Sequence, residues 1–312
     1  MAHRRIGQER LGFGREQANP ASPLDEMSKL IGWTEVARAL GDIYTAAKGE
    51  HGWPPLALFK ALLLAAWYDL SDVKLAEAVA DRASFRRFCG FSATEPTPER
   101  TAFVRFRAEL VRRNLDRLLF ETVTGQLKTK GVAVRTGTLV DATLIPSASI
   151  RHDHEARWAG HRRRKPVHGY KAHIATDQDA VLIDTIEVTT ANVHDAALLD
   201  AVLPAEPGEV FADSAFASHK ADRVIMAHGG KPRTVQTGTW GGPEARKRLE
   251  AHNAEVCRVR ARIEKIFGTT KRSYGLRRMR WLGLAKAGLQ VRLAAIAYNL
   301  RRCFRLLSVA AI

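Results

Sequence analysis

Cysteine, acidic residues and long apolar runs are all scarce in this chain of 312 residues. The three cysteines, Cys89, Cys257 and Cys303, lie far apart with no paired spacing, which argues against a disulfide framework and a thiolate zinc site and fits a reducing cytoplasm. The longest apolar run, Ala61 to Trp67, is far too short to span a bilayer. The first twenty residues carry Arg4, Arg5, Arg10 and Arg15 but none of the apolar core of a secretory signal. A soluble protein with no membrane partner is expected. Neither a GxxxxGKS/T loop nor a GxGxxG turn occurs, so a nucleotide cofactor is not indicated. Internal repeats and low-complexity tracts are missing as well.

The shortage of acids is the most informative of these. Against 49 Lys and Arg stand 33 Asp and Glu, a formal net charge of +16 and a sequence pI of about 10.2. Such an excess suits a polyanion, because basic patches gain affinity by releasing counterions from phosphate backbones. From Arg246 onward, 17 basic residues face only Glu250, Glu255 and Glu264.

Residues 1–20 read as a flexible basic arm, too poor in apolar surface to fold alone. Residues 21–130 read as an all-helical domain. LALFKALLLAAW, from Leu56, is apolar nearly all round, Ser71 and Ser84 are cap residues, and Thr97-Pro98-Glu99 opens a long periodic stretch that ends at Gly131. Arg86, Arg87, Arg105, Arg107, Arg112 and Arg113 either reach phosphates from a helix-turn-helix-like module or form the exterior of an ordinary packing domain.

Beyond Lys130 the period shifts from about 3.6 to 2. Strand-like runs follow at TLVDATLI, GYKAHIAT, VLIDTIEVT, GEVFADSAF and PRTVQT, with helices at HDAALLDAVL, where Asp195 can cap, and at SHKADRVIMAHG. Residues 131–312 are therefore expected to form an α/β domain on one central sheet, with the amphipathic segment from Leu284 packing back on it.

Three acids stand in anomalous surroundings. Asp141 shares a strand face with Leu139, Thr143 and Ile145, so it needs a partner or a metal; a bond from backbone or arginine would also satisfy it. Asp213 falls at the carboxyl end of a short apolar strand, where α/β sheets present site residues, although an Asx turn accounts for it equally. Glu264 lies on the seam of a basic helix. Taking Arg260 as zero, Glu264 falls at about 40° and Lys271 at about 20°, beside a core stripe of Val256, Val259, Ile263 and Ile266. A surface Arg–Glu pair is the plain reading of that spacing. Three carboxylates converging from separate elements can hold two divalent metals for in-line attack at a phosphate, and hard oxygen ligands suit magnesium or manganese.

Residues 151–173 are rich in histidine and basic side chains. The spacing of His152, His154, His161 and His168 follows no zinc-ligand pattern. A mobile basic loop following DNA phosphates is expected instead, with Arg162, Arg163, Arg164 and Lys165 making the contacts. Trp240 reads as a packing residue or, less simply, as a stacking surface for a displaced base.

Together these stretches resemble a known family. Arg260, Glu264 and Lys271 match the motif Tyr, two residues, Arg, three residues, Glu, six residues, Lys of bacterial insertion-sequence transposases of the Asp-Asp-Glu type, with Cys257 at the Tyr position. VDATLIPS, HGYKAHIATD, ANVHDAALL, FADSAFAS and the helical stretch LFKALLLAAWYDLSDVKLAEAVADRASFRRFCGF are similar to blocks of the insertion-sequence-five family. The likeness runs from about Leu56 to Arg302. It implies a ribonuclease-H-like mixed sheet flanked by helices and an N-terminal helical domain that binds DNA ends. It further implies Asp141, Asp213 and Glu264 as ligands of two Mg2+ or Mn2+ ions, and Arg260 and Lys271 as contacts to the element's ends. Its partners would be double-stranded DNA, as ends and target, and further copies of itself in a synaptic complex in the nucleoid. An inactive DNA-binding relative or a nuclease on the same fold are the alternatives.

Overall fold

A computed structural model describes residues 3–7, 22–44, 51–130, 136–161, 164–238 and 241–310. In chain order the helices and strands are α1 (Pro23–Ser28), α2 (Trp33–Ala39), α3 (Pro55–Trp67), α4 (Asp72–Asp81), α5 (Ala83–Cys89), α6 (Arg100–Arg112), α7 (Leu115–Lys128), β1 (Gly137–Pro146), β2 (Arg157–His161), β3 (Arg164–Asp177), β4 (Ile183–Thr190), α8 (Leu199–Val202), β5 (Glu209–Ala212), α9 (His219–Ala227), β6 (Lys231–Thr234), α10 (Pro243–Ser273) and α11 (Leu284–Ala310). Two compact units result: residues 1–130 with 292–312, and residues 131–291. Among the described residues no helix is long and apolar enough to cross a membrane.

The first unit is helical. Ser71 caps α4 by accepting from the Lys74 N–H, and Gly90, at φ 90°, closes α5 in the left-handed conformation that glycine adopts without strain. Apolar all round, α3 buries ten of its thirteen residues. The C-terminal segment helps to cover it, since the Trp67 indole donates to the Ala297 carbonyl at 2.7 Å. Arg292 pairs with Asp116 at 2.5 Å, so residues from Arg292 onward belong with the helices rather than with the sheet, as the amphipathic pattern alone suggested.

Two further expectations are settled here. The arm is docked where it is described: His3 bridges Gly52, Arg4 lies over the Trp53 ring at 4.5 Å and the Gly7 N–H donates to the Glu95 carboxylate at 3.0 Å. Residues 8–21 lie outside the described residues. Several of the arginines for which phosphate contact and an ordinary domain exterior were both open are bonded within the chain. Arg86 donates to the carbonyls of Ser92 (2.8 Å), Ala80 (3.0 Å) and Glu95, Arg107 forks onto Asp72 at 2.7 and 2.6 Å, and Arg112 and Arg113 share Glu109. Buried guanidinium groups need such acceptors because unpaired they cost several kcal/mol.

The second unit is built on a six-stranded mixed sheet in which β3 pairs β1, β2 and β4, and β1 pairs β5, which pairs β6. The β1–β3 ladder is antiparallel, with Asp141 opposite Ile174, and β1–β5 is parallel. One sheet face carries Val140, Ala175, Val210 and Ala212 against Leu199, Val202, Phe216 and Ile225 from the turn and helix segments around α8 and α9. The other is covered by α10, which buries Val256, Ile263 and Ile266 as the periodicity predicts. This is the mixed sheet flanked by helices expected of the fold. The helix runs from Pro243 to Ser273, so Tyr274–Gly283 is not helical.

The basic loop of residues 151–173 is a correction. Arg157–His161 and the start of β3 form an antiparallel pair, with Trp158 opposite His168, because ladder bonds satisfy the backbone where a loop would leave it to water. Arg164 and Lys165 thus stand on a strand; Arg162 and Arg163 fall outside the described residues.

Beyond β1 the chain is tied down by one buried acid. Asp153, 3% exposed, accepts from the Ser147 hydroxyl, from the Tyr170 hydroxyl at 2.6 Å and from the Gly283 N–H at 3.2 Å, while Arg278 holds the Ser147 carbonyl at 3.0 Å. Burial alone would raise this carboxyl's pKa; the donated hydrogen bonds overcome that and lower it. A depressed carboxylate contributes stability above its unfolded pKa and loses it as pH falls through the folded value. Asp153→Ala is therefore expected to cost about 2–4 kcal/mol at pH 7. Urea unfolding checks this, with the difference from the parent narrowing below about pH 4.

Candidate active site

β1 and β5 run parallel with Leu139 beside Phe211, and the same offset carried two residues on sets Asp213 beside Asp141. Asp213 keeps an extended backbone, φ −79° and ψ −179°, so alternation leaves both carboxylates on the face covered by α10. Asp213 also caps the turn Ser214–Phe216, its Oδ1 accepting from the Ala215 N–H at 2.9 Å. The two readings of this residue are thus compatible: one oxygen orients the side chain, and the other remains for chemistry.

Asp141 is partly buried, with 14% of its side chain exposed. One oxygen accepts from the Ala142 N–H at 2.8 Å and the other from Arg260 Nη2 at 3.1 Å. These do not offset the environment. Burial raises the carboxyl pKa to about 6, with the charges of Asp213 and Asp195 adding to the rise and Arg260 and the Ala142 N–H opposing it. The site is short of positive charge even with the guanidinium in place.

Helix α10 is pinned along the strands by its own polar side chains. His252 bonds to the Thr234 carbonyl (3.0 Å), Arg260 reaches Asp141, Arg262 donates to Gln178 O (2.6 Å), and Lys271 Nζ donates to Leu144 O (2.9 Å). Arg260 and Lys271 therefore each direct a donor to β1 in this structure, and burial lowers the pKa of Lys271. Glu264, one turn beyond Arg260, is exposed. The structure thus brings Asp141, Asp213 and Arg260 together and leaves Glu264 on the solvent side of the seam. Among the described residues no three His, Cys, Asp or Glu side chains are gathered as a metal cage. His152 and His154 are exposed, Lys165 is exposed, and Trp240 lies outside the described residues.

One acid of the site was misread from sequence. Asp195 was expected to cap the helix after ANVH, but His194 does so, its Nδ1 accepting from the Ala196 N–H at 3.3 Å. Asp195 is left to pair with Lys171 Nζ at 2.7 Å, and Lys171 also donates to Val193 O at 2.7 Å. Next along β3, His173 is 1% exposed, bonds Thr189 Oγ1 at 2.9 Å and is held down to a pKa of about 4 by burial. The signal was present: Lys171 is as isolated among the apolar residues of GYKAHIAT as Asp141 is in TLVDATLI.

Two carboxylates side by side, a helix crossing over them, and basic side chains along that helix match what the family comparison finds. A family model described as Transposase DDE domain matches residues 133–300, and one described as Transposase domain (DUF772) matches residues 14–109. Members of the first family generally act with divalent metal ions. The chain belongs to the DDE transposases.

Proposed function

We propose that this transposase binds the terminal inverted repeats of an insertion sequence of the insertion-sequence-five group, cuts the DNA there and joins the freed 3′-hydroxyl to target DNA. The observation that carries the reading is the parallel β1–β5 register, which aligns Asp141 with Asp213 beneath α10. Their fit to a divalent cation rests on the same geometry: hard oxygen donors, one of them on a carboxyl that burial and like charges hold near a pKa of 6. Asp141 and Asp213 would hold the ions, with Glu264 joining from α10. When bound, two Mg2+ or Mn2+ ions supply Lewis-acid chemistry at the attacking and leaving oxygens.

The protein's own groups do the rest. The Ala142 N–H and the Asp213 turn fix the two carboxylates in orientation before any ligand arrives, so little reorganisation accompanies reaction. Arg260 balances Asp141 in this structure, and its guanidinium suits a phosphate equally well. Lys271 stands at the far end of the same seam, and Lys165 is a further candidate for the backbone. Synapsis of two ends calls for self-association.

Asp141→Asn is expected to abolish cleavage of DNA carrying the element's ends while leaving its binding intact; a variant that still cuts would sink the assignment. A second readout is independent of activity. A carboxyl whose pKa is raised on folding contributes stability that is present below its unfolded pKa and lost as pH rises through the folded value. The window here is about pH 4 to 6. Asp141→Asn should therefore be more stable than the parent by about 1–3 kcal/mol at pH 8, and equal to it near pH 4. Thermal unfolding at the two pH values checks this.

Arg260→Ala and Lys271→Ala should each weaken end binding and reduce the slope of log affinity against log salt by about one unit. Fluorescence anisotropy across a salt series reads the slope, and unchanged slopes would leave both residues with purely structural work on β1.

A further inference from the structure

Among the described residues Trp158, on β2, is the most exposed aromatic side chain, at 53%. Single exposed apolar side chains are common on protein surfaces; what distinguishes Trp158 is its place on the sheet. It is braced on one side: the His168 ring lies 5.2 Å away between centroids at 53°.

The ladder registers say where this platform stands. Trp158 is opposite His168, His168 alternates with Tyr170, Ala172 and Ile174 along β3, and Ile174 is opposite Asp141. Residues opposite one another share a face, as do residues two apart on a strand. Trp158 therefore lies on the same sheet face as Asp141. Six strand residues separate them, about 20 Å, or roughly six stacked nucleotides.

The surroundings are cationic. Arg151 and Lys165 are exposed, whereas the Arg157 guanidinium donates to the carbonyls of His154 at 2.6 Å and Ala156 at 3.0 Å; of the neighbouring acids Asp153 is buried in its hydrogen-bond network, and the exposed Glu155 accepts from the Leu284 N–H at 3.0 Å. An aromatic platform interleaved with exposed cations is the pattern that holds unpaired nucleotides: bases stack, and phosphates follow the charges. Duplex DNA keeps its base faces stacked internally and offers none to an indole.

We propose that Trp158 is a base-stacking platform for single-stranded DNA extending from the cleavage site, with Lys165 following its phosphates. The inference deepens the DNA-cleaving reading and rests on it. It names unpaired nucleotides, rather than duplex alone, as a ligand of this face.

The binding measurements need no knowledge of the element's ends. Full-length protein is titrated into a labelled thymidine oligonucleotide and into a labelled duplex of equal length, with anisotropy as the readout. Trp158→Ala should weaken the single-strand complex about tenfold, within the range that stacking on one aromatic supplies, and leave the duplex complex unchanged. Trp158→Phe should retain most of the affinity. The salt slope should be unaltered in Trp158→Ala and smaller by about 0.7 in Lys165→Ala. Equal single-strand affinity for Trp158→Ala and parent overturns the proposal, as does an equal loss on both DNAs. A change in sedimentation mass of Trp158→Ala without a change in single-strand affinity assigns the face to a second copy of the chain and overturns it too. Asp141→Asn separates the two readings: it is expected to lose cleavage while binding the oligonucleotide normally. Cleavage surviving in that variant refutes the catalytic assignment, whereas loss of the Trp158 effect alone refutes the platform.

Discussion

The carboxylate of Asp141 must be satisfied on the sheet face, because its strand is paired by β3 on one side and by β5 on the other. The β3 ladder runs the length of β1 whereas the β5 ladder stops at Leu139, so the side chain depends on the Ala142 N–H and on what packs over it. The Ala142 N–H and Arg260 meet that need in part. Helix α10 is consequently more than a cover: its apolar stripe supplies burial and its polar seam supplies the compensating charge. The carboxyl is still held near a pKa of 6, the direction in which burial beside like charges pushes a carboxyl.

The same constraint explains how positive charge is used elsewhere in the chain. Arginines that a sequence count assigns to DNA are in several places the internal ties of the fold, as with Arg86 on three carbonyls and Arg107 on Asp72. A net charge of +16 is therefore a statement about solution behaviour and steering of a polyanion, and it does not say which guanidinium groups are available. Availability follows from burial and partners, which in the second unit leave Lys165 on the surface while engaging Arg157 with the carbonyls of His154 and Ala156 and Arg260 and Lys271 with β1.

Helical periodicity and alternation identified the elements well where the pattern was long. The buried stripe of α10 and the apolar α3 followed from spacing, as did the strands around Asp141 and Asp213. The hairpin at Arg157–His161 did not, since its charged and aromatic residues have no apolar alternation and its strand character comes from pairing with β3. Asp195 was misassigned for a related reason. A residue beside a helix start reads as a cap when its own segment alone is considered, and only the approach of Lys171 from β3 gives it a different partner.

The sequence by itself determined the two-part organisation, the mixed sheet behind a helical region, and the acids and bases that carry the family motif, because those rest on local period and spacing. Tertiary structure alone decided which of them meet. Asp141 and Asp213 are 72 residues apart and adjacent only through a parallel register, Arg260 reaches Asp141 only because α10 lies along that face, and Glu264, one turn away on the same helix, faces solvent. The destination of the C-terminal segment was decided in the same way, by Trp67 and Asp116 offering it partners on the helices. Spacing along a chain fixes direction within one element; which element lies opposite depends on burying all the apolar faces at once.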